Sequence, residues 1–207
     1  SAFDFDETLI DKGENTIVAT KGDDIIKITS GQWPIQGPQL AANGYKFNFD
    51  DFINVRGGVE GPLMQKFRNR IKKYGIRNNY ILTARPPEAA PAIQAWLKQQ
   101  GINMPLENIT GLGNSTGEAK ALWMAQKYAE GYNDMYFVDD ALPNVKAVRD
   151  IMDQLDIKGS SVQAKVKFSK DASSTFNNIL EGSTGIEAQK KFSDAQAKIR
   201  GQKPKYR

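Results

Sequence analysis

The sequence contains neither cysteine nor histidine among its 207 residues. The absence of cysteine excludes disulfides, thiolate nucleophiles and zinc–cysteine sites. The absence of histidine excludes serine–histidine and cysteine–histidine catalysis and most transition-metal sites. Acid–base chemistry must therefore come from carboxylates, lysine or tyrosine. A carboxylate-rich site without imidazole favours a hard, oxygen-seeking cation, for which Mg²⁺ is the obvious candidate.

Long apolar runs are also missing from the sequence. No stretch approaches the roughly 18 consecutive apolar residues of a membrane-spanning helix, and no charged-then-apolar leader opens the chain. We therefore expect neither membrane association nor secretion by a signal peptide. With 40% hydrophobic and 25% charged residues, the composition is that of a globular domain that buries one sizeable core.

A strong excess of one charge is also missing, because 28 basic residues only slightly outnumber 24 acidic ones and the formal net charge is +4. Much of the basic excess lies in residues 198–207, which contain Lys198, Arg200, Lys203, Lys205 and Arg207 and no acid. This run is typical of a solvated basic arm. The alternative is contact with an anionic partner such as nucleic acid.

Strand-like apolar segments alternate with helical periodicity along much of the chain. The segments that indicate strands are residues 2–5, 80–83, 106–111, 135–138 and 162–168. Such alternation predicts an α/β fold, with a parallel sheet covered by helices on both faces. We expect this core to comprise residues 1–10 and 58–168. Ligands of such sheets bind beyond the carboxyl ends of the strands, where polar residues follow several of these segments.

Two regions interrupt or follow the predicted core. Residues 11–57 form an insert in which 16–20 and 25–29 predict a β-hairpin around a Gly-Asp-Asp turn, whereas 33–48 are predicted to be irregular. The insert can close over the strand ends as a small flap, or it can be a loop without a role. Residues 169–207 predict a C-terminal arm with two short amphipathic helices, at 173–180 and 186–200.

The segment Asp-Phe-Asp-Glu-Thr at residues 4–8 directly follows the first apolar strand. Asp4 can attack phosphorus while a metal ion screens its charge, and Asp6 can protonate the leaving oxygen and then activate water. Thr8 lies in the following turn, where it can contact a phosphate. The alternative is a simple capping turn.

Thr83 and Arg85 follow the second predicted sheet strand. The Thr83 hydroxyl and backbone N–H can hold a phosphate oxygen, because a helix is predicted to begin at residues 84–87 and helix N-termini favour anions. Its alternative role is a plain helix cap. Arg85 can add positive charge at the mouth of the site, or it can be a solvated surface arginine.

Lys120 follows an apparent helix start at which Ser115 or Thr116 is the predicted cap. From this position a lysine can reach both the phosphoryl group and the nucleophilic carboxylate and neutralise them. The alternative is an ordinary surface lysine. Lys127, farther along the same helix, is a competing candidate.

Asp139 and Asp140 end another predicted strand as adjacent acids. Two neighbouring carboxylates repel one another and lose hydration on burial, and a divalent cation facing Asp4 would compensate them. The alternative for Asp140 is to cap the helix that begins near residue 142. Asn144 is a candidate outer ligand.

These segments together resemble, in order, the four sequence motifs of the haloacid-dehalogenase-like superfamily. Residues 4–8 are similar to the first motif, Thr83 to the second, Lys120 to the third, and Asp139 with Asp140 to the fourth, and Lys120 precedes Asp139 by 19 residues. The resemblance covers about residues 2–158. It implies a Rossmann-like core, an aspartyl-phosphate intermediate, and Mg²⁺ bound by Asp4, the Asp6 backbone carbonyl and Asp139. The second acid, Asp6, resembles the phosphatase branch of the superfamily.

A closer resemblance is to phosphatase-like domains within large proteins of tailed bacteriophages, especially those of marine hosts. It is carried by residues 82–87, 111–116, 139–145, 176–181 and 191–194. It implies a viral protein, located in the virion or in the cytoplasm of the infected host, whose arm can dock onto other virion proteins. The short segment before Asp4 also leads us to expect a piece of a longer polypeptide.

Three functions are consistent with these patterns. The first is a Mg²⁺-dependent phosphomonoesterase that acts on a phosphorylated substrate through Asp4 and Asp6. The second is a virion structural or docking protein that retains the fold with idle or incidental activity. The third is a phosphatase that processes nucleic-acid ends, for which binding would be salt-sensitive and would depend on residues 198–207.

Overall fold

The structure is a computed structural model that describes residues 1–164. The predicted arm at 169–207, with its two helices and its basic run, lies outside the described residues. Within residues 1–164, no helix is both long enough and apolar enough to cross a lipid bilayer.

Ten strands and five α-helices make up the described part of the chain. The strands are β1 (Ala2–Phe3), β2 (Ile10–Gly13), β3 (Thr16–Lys21), β4 (Asp24–Thr29), β5 (Lys46–Asn48), β6 (Gly57–Glu60), β7 (Tyr80–Thr83), β8 (Ile109–Gly111), β9 (Asp134–Asp139) and β10 (Lys158–Gln163). The α-helices are α1 (Trp33–Ala42), α2 (Met64–Tyr74), α3 (Ala90–Gln99), α4 (Gly117–Ala129) and α5 (Leu142–Gln154).

A five-stranded parallel sheet in the order β10-β9-β1-β7-β8 lies at the centre of the fold. Alternate side chains of its strands enter two separate cores. Phe3, Ile81 and Val138 pack with α2 and α3, whereas Ala2, Leu82 and Phe137 pack with α4 and α5. The predicted α/β architecture, a parallel sheet with helices on both faces, is therefore confirmed and is compatible with a Rossmann-like fold.

The register of the sheet brings the ends of three strands together. Phe3 is level with Ile81 of β7 and with Val138 of β9. Beyond Phe3, the backbone N–H of Asp4 donates to the Val138 carbonyl at 2.8 Å. Phe3 is fully buried and meets Phe67 of α2 edge to face, with ring centroids 4.9 Å apart. A pair of this geometry contributes about 0.5–1.5 kcal/mol beyond its buried area.

The insert contains the predicted hairpin and more regular structure than its composition indicated. Strands β3 and β4 pair antiparallel around Gly22 and Asp23, which confirms the hairpin. The prediction that residues 33–48 are irregular was wrong, because they form α1 and β5, which pairs with β3. Trp33 packs against the rings of Phe47 and Phe49, at 4.9 and 5.1 Å between centroids. This aromatic packing outweighs the low helix propensity of the glycine and prolines nearby.

Three predicted boundaries in the core also differ from the structure. The last described strand is β10, Lys158–Gln163, which begins four residues before the predicted start at 162 because its register is set by hydrogen bonds to β9, and residues 165–168 of the predicted strand lie outside the described residues. The third predicted strand shortens to β8, after a single 3₁₀ turn at Leu106–Asn108. The helix predicted at residues 84–87 begins only at Ala90, after another such turn at Pro87–Ala89, so Arg85 precedes it.

Candidate functional site

Asp4, Lys120 and Asp139 meet at the carboxyl edge of the central strands. The Lys120 ammonium donates to Asp4 Oδ1 at 2.7 Å and to Asp139 Oδ2 at 2.5 Å. All three side chains are buried, and that of Lys120 is only 1% exposed. Asp4 thus forms one compact charged group with two residues that lie more than 100 positions later in the sequence.

The start of α4 determines where Lys120 points. Of the two predicted caps, Ser115 and Thr116, the N-cap is Thr116, and its Oγ1 accepts a hydrogen bond from the Ala119 N–H at 3.4 Å. A Cβ on Gly117 would lie 2.8 Å from the Cβ of Ala147, so only glycine allows α4 to approach α5 this closely. Lys127, the competing candidate, instead pairs with Glu130 at 2.7 Å, away from this group.

Three carboxylates offer oxygens that a single cation can reach. One oxygen each of Asp4, Asp139 and Asp140 lies within 4.8 Å of the others. The donors are all oxygens, so the cluster suits Mg²⁺ better than a softer metal ion. Asp139 also accepts from the amide of Asn144 at 3.1 Å, which places Asn144 next to a candidate ligand.

The alternative in which Asp140 caps α5 was wrong. The N-cap of α5 is Ala141, which makes no side-chain cap hydrogen bond. Instead, Asp139 Oδ1 accepts from the Ala141 N–H at 2.9 Å. The Asp140 carboxylate is therefore not committed to the helix and remains part of the acidic cluster.

Burial and mutual repulsion shift the protonation of this group. Burial raises the pKa of Asp4 well above its ordinary value, with Asp139 and Asp140 adding to the shift and Lys120 opposing it. Burial beside Asp139 raises the pKa of Asp140 to about 7. Burial alone would lower the pKa of Lys120, but the carboxylates of Asp4 and Asp139 outweigh it and raise the pKa. Lys120 is thus a fixed positive charge that only partly balances three acids.

Asp6 is paired with Arg85 rather than with the acidic cluster. Arg85 Nε donates to Asp6 Oδ2 at 2.8 Å, and Arg85 Nη2 donates to Asp6 Oδ1 at 2.7 Å. Arg85 is 3% exposed, so it is not a solvated surface arginine. Its backbone N–H donates to the buried Thr83 hydroxyl at 3.2 Å. Because α3 begins later, Thr83 closes this tight turn and does not cap the helix.

Thr8 and Glu7 occupy unusual positions in the turn after Asp6. The Thr8 hydroxyl is buried and has no hydrogen-bond partner among residues 1–164. Glu7 has a left-handed backbone with φ of 55°, and its Oε1 accepts from Ser30 Oγ of the insert at 3.0 Å. Burial raises the pKa of Glu7. The insert therefore contacts the first motif through a side chain whose direction the sequence did not reveal.

Sequence patterns missed Asn15 and the turn at Asp50–Ile53 as neighbours of the site. Asn15 is 2% exposed, and its Nδ2 donates to the Asp51 carbonyl at 2.7 Å. Both features lie in the insert and contact Arg85 or the residues around it. A lone asparagine and a short turn carry no periodic signal that distinguishes them from ordinary loop residues.

Comparison with protein-family models, with curated proteins and with solved structures gives no match to this chain. The geometry of the site therefore provides the basis for its chemistry.

Proposed function

We propose that this chain is a Mg²⁺-dependent phosphohydrolase of the haloacid-dehalogenase-like superfamily. The observation that carries the proposal is the convergence of Asp4, Lys120, Asp139 and Asp140 at one edge of a parallel sheet. These residues come from three distant segments, and each has the residue type that its resemblance to the superfamily motifs implies. A purely structural cluster would gather three acids, two of them buried, around one buried lysine at a considerable cost in desolvation.

Under this proposal, Asp4 is the nucleophile. Its carboxylate oxygen forms a bond to phosphorus while the bond from phosphorus to the leaving oxygen breaks, and Asp6 gives that oxygen its proton. Asp6 then takes a proton from water as the water attacks the aspartyl phosphate, which releases inorganic phosphate and restores Asp4. Lys120 stabilises the negative charge on Asp4 and on the transferring phosphoryl group.

The carboxylates of Asp4, Asp139 and Asp140, with the backbone carbonyl of Asp6, would hold Mg²⁺. The ion supplies positive charge that lets an anionic carboxylate approach an anionic phosphate ester. Thr83 and Thr8 are the proposed hydroxyl contacts for phosphate oxygens. The buried Thr8 hydroxyl, which has no partner within residues 1–164, supports this role, because such a group costs free energy unless something completes its hydrogen bond.

The insert is the proposed flap over the site. Two links support this role: the Glu7–Ser30 hydrogen bond and the contacts between Arg85 and residues 52–54. We further propose, from the resemblance to phage domains, that the protein is phage-encoded and acts in the virion or in the host cytoplasm.

Hydrolysis of a generic aryl phosphate with Mg²⁺ tests the proposal. Asp4→Asn should lower kcat roughly 10³-fold or more, because it removes the nucleophile. Asp153→Asn, an equally conservative change on the exposed side of α5, is the matched control and should leave kcat unchanged. If the wild-type protein turns over no phosphoester in Mg²⁺, the phosphohydrolase proposal fails and a docking role with idle chemistry takes its place.

A further inference from the structure

Every N–H group of the Arg85 guanidinium has an acceptor within the protein. Nε and Nη2 donate to the two oxygens of Asp6, Nη1 donates to the carbonyls of Phe52 and Asn54 at 3.1 and 2.5 Å, and Nη2 also donates to Asn15 Oδ1 at 3.2 Å. A guanidinium has five N–H donors in a rigid, planar fork. All five are therefore used, two on the core and three on the insert.

The surroundings of Arg85 make the loss of these hydrogen bonds strongly destabilising. Its Cζ lies 5.3 Å from the centre of the Phe5 ring and 4.8 Å from that of Phe52, so aromatic rings adjoin the guanidinium. A buried charge that loses its partner is strongly destabilising, whereas a fully paired one is tolerated. For Arg85 to contact a substrate phosphate, it would have to give up acceptors that satisfy it in this buried position.

We infer that Arg85 is a positioning residue that orients the Asp6 carboxylate and holds the insert turn at residues 50–54 against the strand ends. The inference deepens the proposed function and rests on it for the role of Asp6. A bidentate pair fixes both the direction and the rotation of a carboxylate, which a single hydrogen bond does not.

The same fork links the flap to the proposed acid. Asn15 not only accepts from Arg85 but also donates to the Asp51 carbonyl and accepts from the Arg56 N–H at 3.1 Å. The turn, Asn15 and Arg85 therefore form one hydrogen-bonded unit. Displacement of the insert would withdraw three acceptors from the guanidinium that holds Asp6, so closure of the insert and alignment of Asp6 are coupled.

Arg85→Lys tests the inference, because lysine keeps the charge and loses the fork. The matched control is Arg68→Lys on α2. Arg68 also donates from two nitrogens to one carboxylate, that of Glu60, but this pair lies at the surface. With aryl phosphate and Mg²⁺, Arg85→Lys should lower kcat about 10²-fold, because small misplacements of a reacting group cost this much. Its KM should stay within about threefold of the wild-type value, because ground-state binding is retained.

Amide hydrogen exchange supplies a readout that needs no activity. In Arg85→Lys, the amides of residues 50–54 should exchange at least about tenfold faster than in the wild-type protein, whereas Arg68→Lys should leave them unchanged. Asn15→Ala removes one insert acceptor and leaves both Arg85 and Asp6 in place. It should lower kcat severalfold without a rise in KM, which provides a second variant if Arg85→Lys folds poorly.

The outcomes separate this inference from the proposed function. A large rise in KM with kcat nearly unchanged would make Arg85 a phosphate ligand, and would overturn the inference while the phosphohydrolase proposal stands. If the wild-type protein is inactive, the proposed function fails, and exchange at residues 50–54 still decides whether Arg85 holds the turn. Unchanged exchange in Arg85→Lys overturns the positioning role in either case.

Discussion

Replacement of Lys120 by methionine is the most informative perturbation of the acidic cluster. Lys120 Nζ lies 2.7 Å from Asp4 Oδ1 and 2.5 Å from Asp139 Oδ2, and all three side chains are buried. Methionine retains most of the aliphatic stem and removes the ammonium, with its charge and its two hydrogen bonds. Loss of one partner from a buried ion pair costs about 3–5 kcal/mol, because the remaining charges stay buried without compensation.

Proton uptake by the remaining carboxyl groups should keep the loss of folding stability near the lower end of that range. Burial raises the pKa values of Asp4 and Asp140, so these carboxyls can neutralise themselves when the ammonium is gone. At pH 8 and without divalent cations, we expect Lys120→Met to lower the free energy of unfolding by about 3 kcal/mol. Without the ammonium, the cluster should bind a cation more tightly than it does in the wild-type protein, and each tenfold gain in affinity adds about 1.4 kcal/mol of stability at saturating cation.

Urea denaturation with a chelator and with saturating Mg²⁺ measures both effects. The stability lost by Lys120→Met should be clearly smaller in Mg²⁺ than in the chelator. Lys127→Met on the same helix is the control; its lysine makes one ion pair and lies over the Tyr80 and Trp123 rings, so it should cost only about 1 kcal/mol or less in either condition. A loss below about 1 kcal/mol for Lys120→Met, or a loss that Mg²⁺ leaves unchanged, would refute this account.

Two further predictions concern Asp140 and Glu7. The pKa of Asp140 is raised from 3.8 to about 7, so between these values the folded protein holds a proton that the unfolded chain has released, and stability without metal falls as pH rises. This slope is at most about 1.4 kcal/mol per pH unit. Denaturation in chelator at pH 5 and pH 8 should show a smaller fall for Asp140→Asn than for the wild-type protein, and an equal fall would contradict the assignment. Glu7→Gly and Glu7→Ala both lose the hydrogen bond to Ser30, but only glycine adopts the left-handed backbone without strain. The free energy of unfolding of the glycine variant should therefore be about 1 kcal/mol higher than that of the alanine variant. Equal stabilities of the two variants would show that the turn is not strained.

The sequence was most informative for candidate site residues at the ends of regular elements. Parallel strands place their carboxyl ends at one edge, so Asp4 and Asp139 could be expected to lie close together from strand patterns alone. The cap at Thr116 likewise located the start of α4 and hence Lys120. These predictions depend on local periodicity and on one general rule of sheet topology.

The sequence was least informative where a contact joins the insert to the core. Arg85 is separated from Asp6 by 79 residues and from Asn15 by 70. Nothing in the local pattern around Arg85 distinguishes a buried, fully paired arginine from a solvated one. Likewise, α1 forms because Trp33 finds aromatic partners beyond the helix, a tertiary effect that propensity does not contain. Such contacts become visible only when the chain is folded.

Strand β1 is short, but its central position in the sheet gives it neighbouring strands on both sides. Strand β1 has two residues, but it lies between β7 and β9, and its hydrogen bonds continue past both of its ends. The Ser1 carbonyl accepts from the Tyr80 N–H at 2.8 Å, and the Asp4 N–H donates to Val138 at the same distance. Beyond the strand, Lys120 fixes the Asp4 carboxylate from α4. The placement of the proposed nucleophile is therefore set by the strands on both sides of β1 and by Lys120.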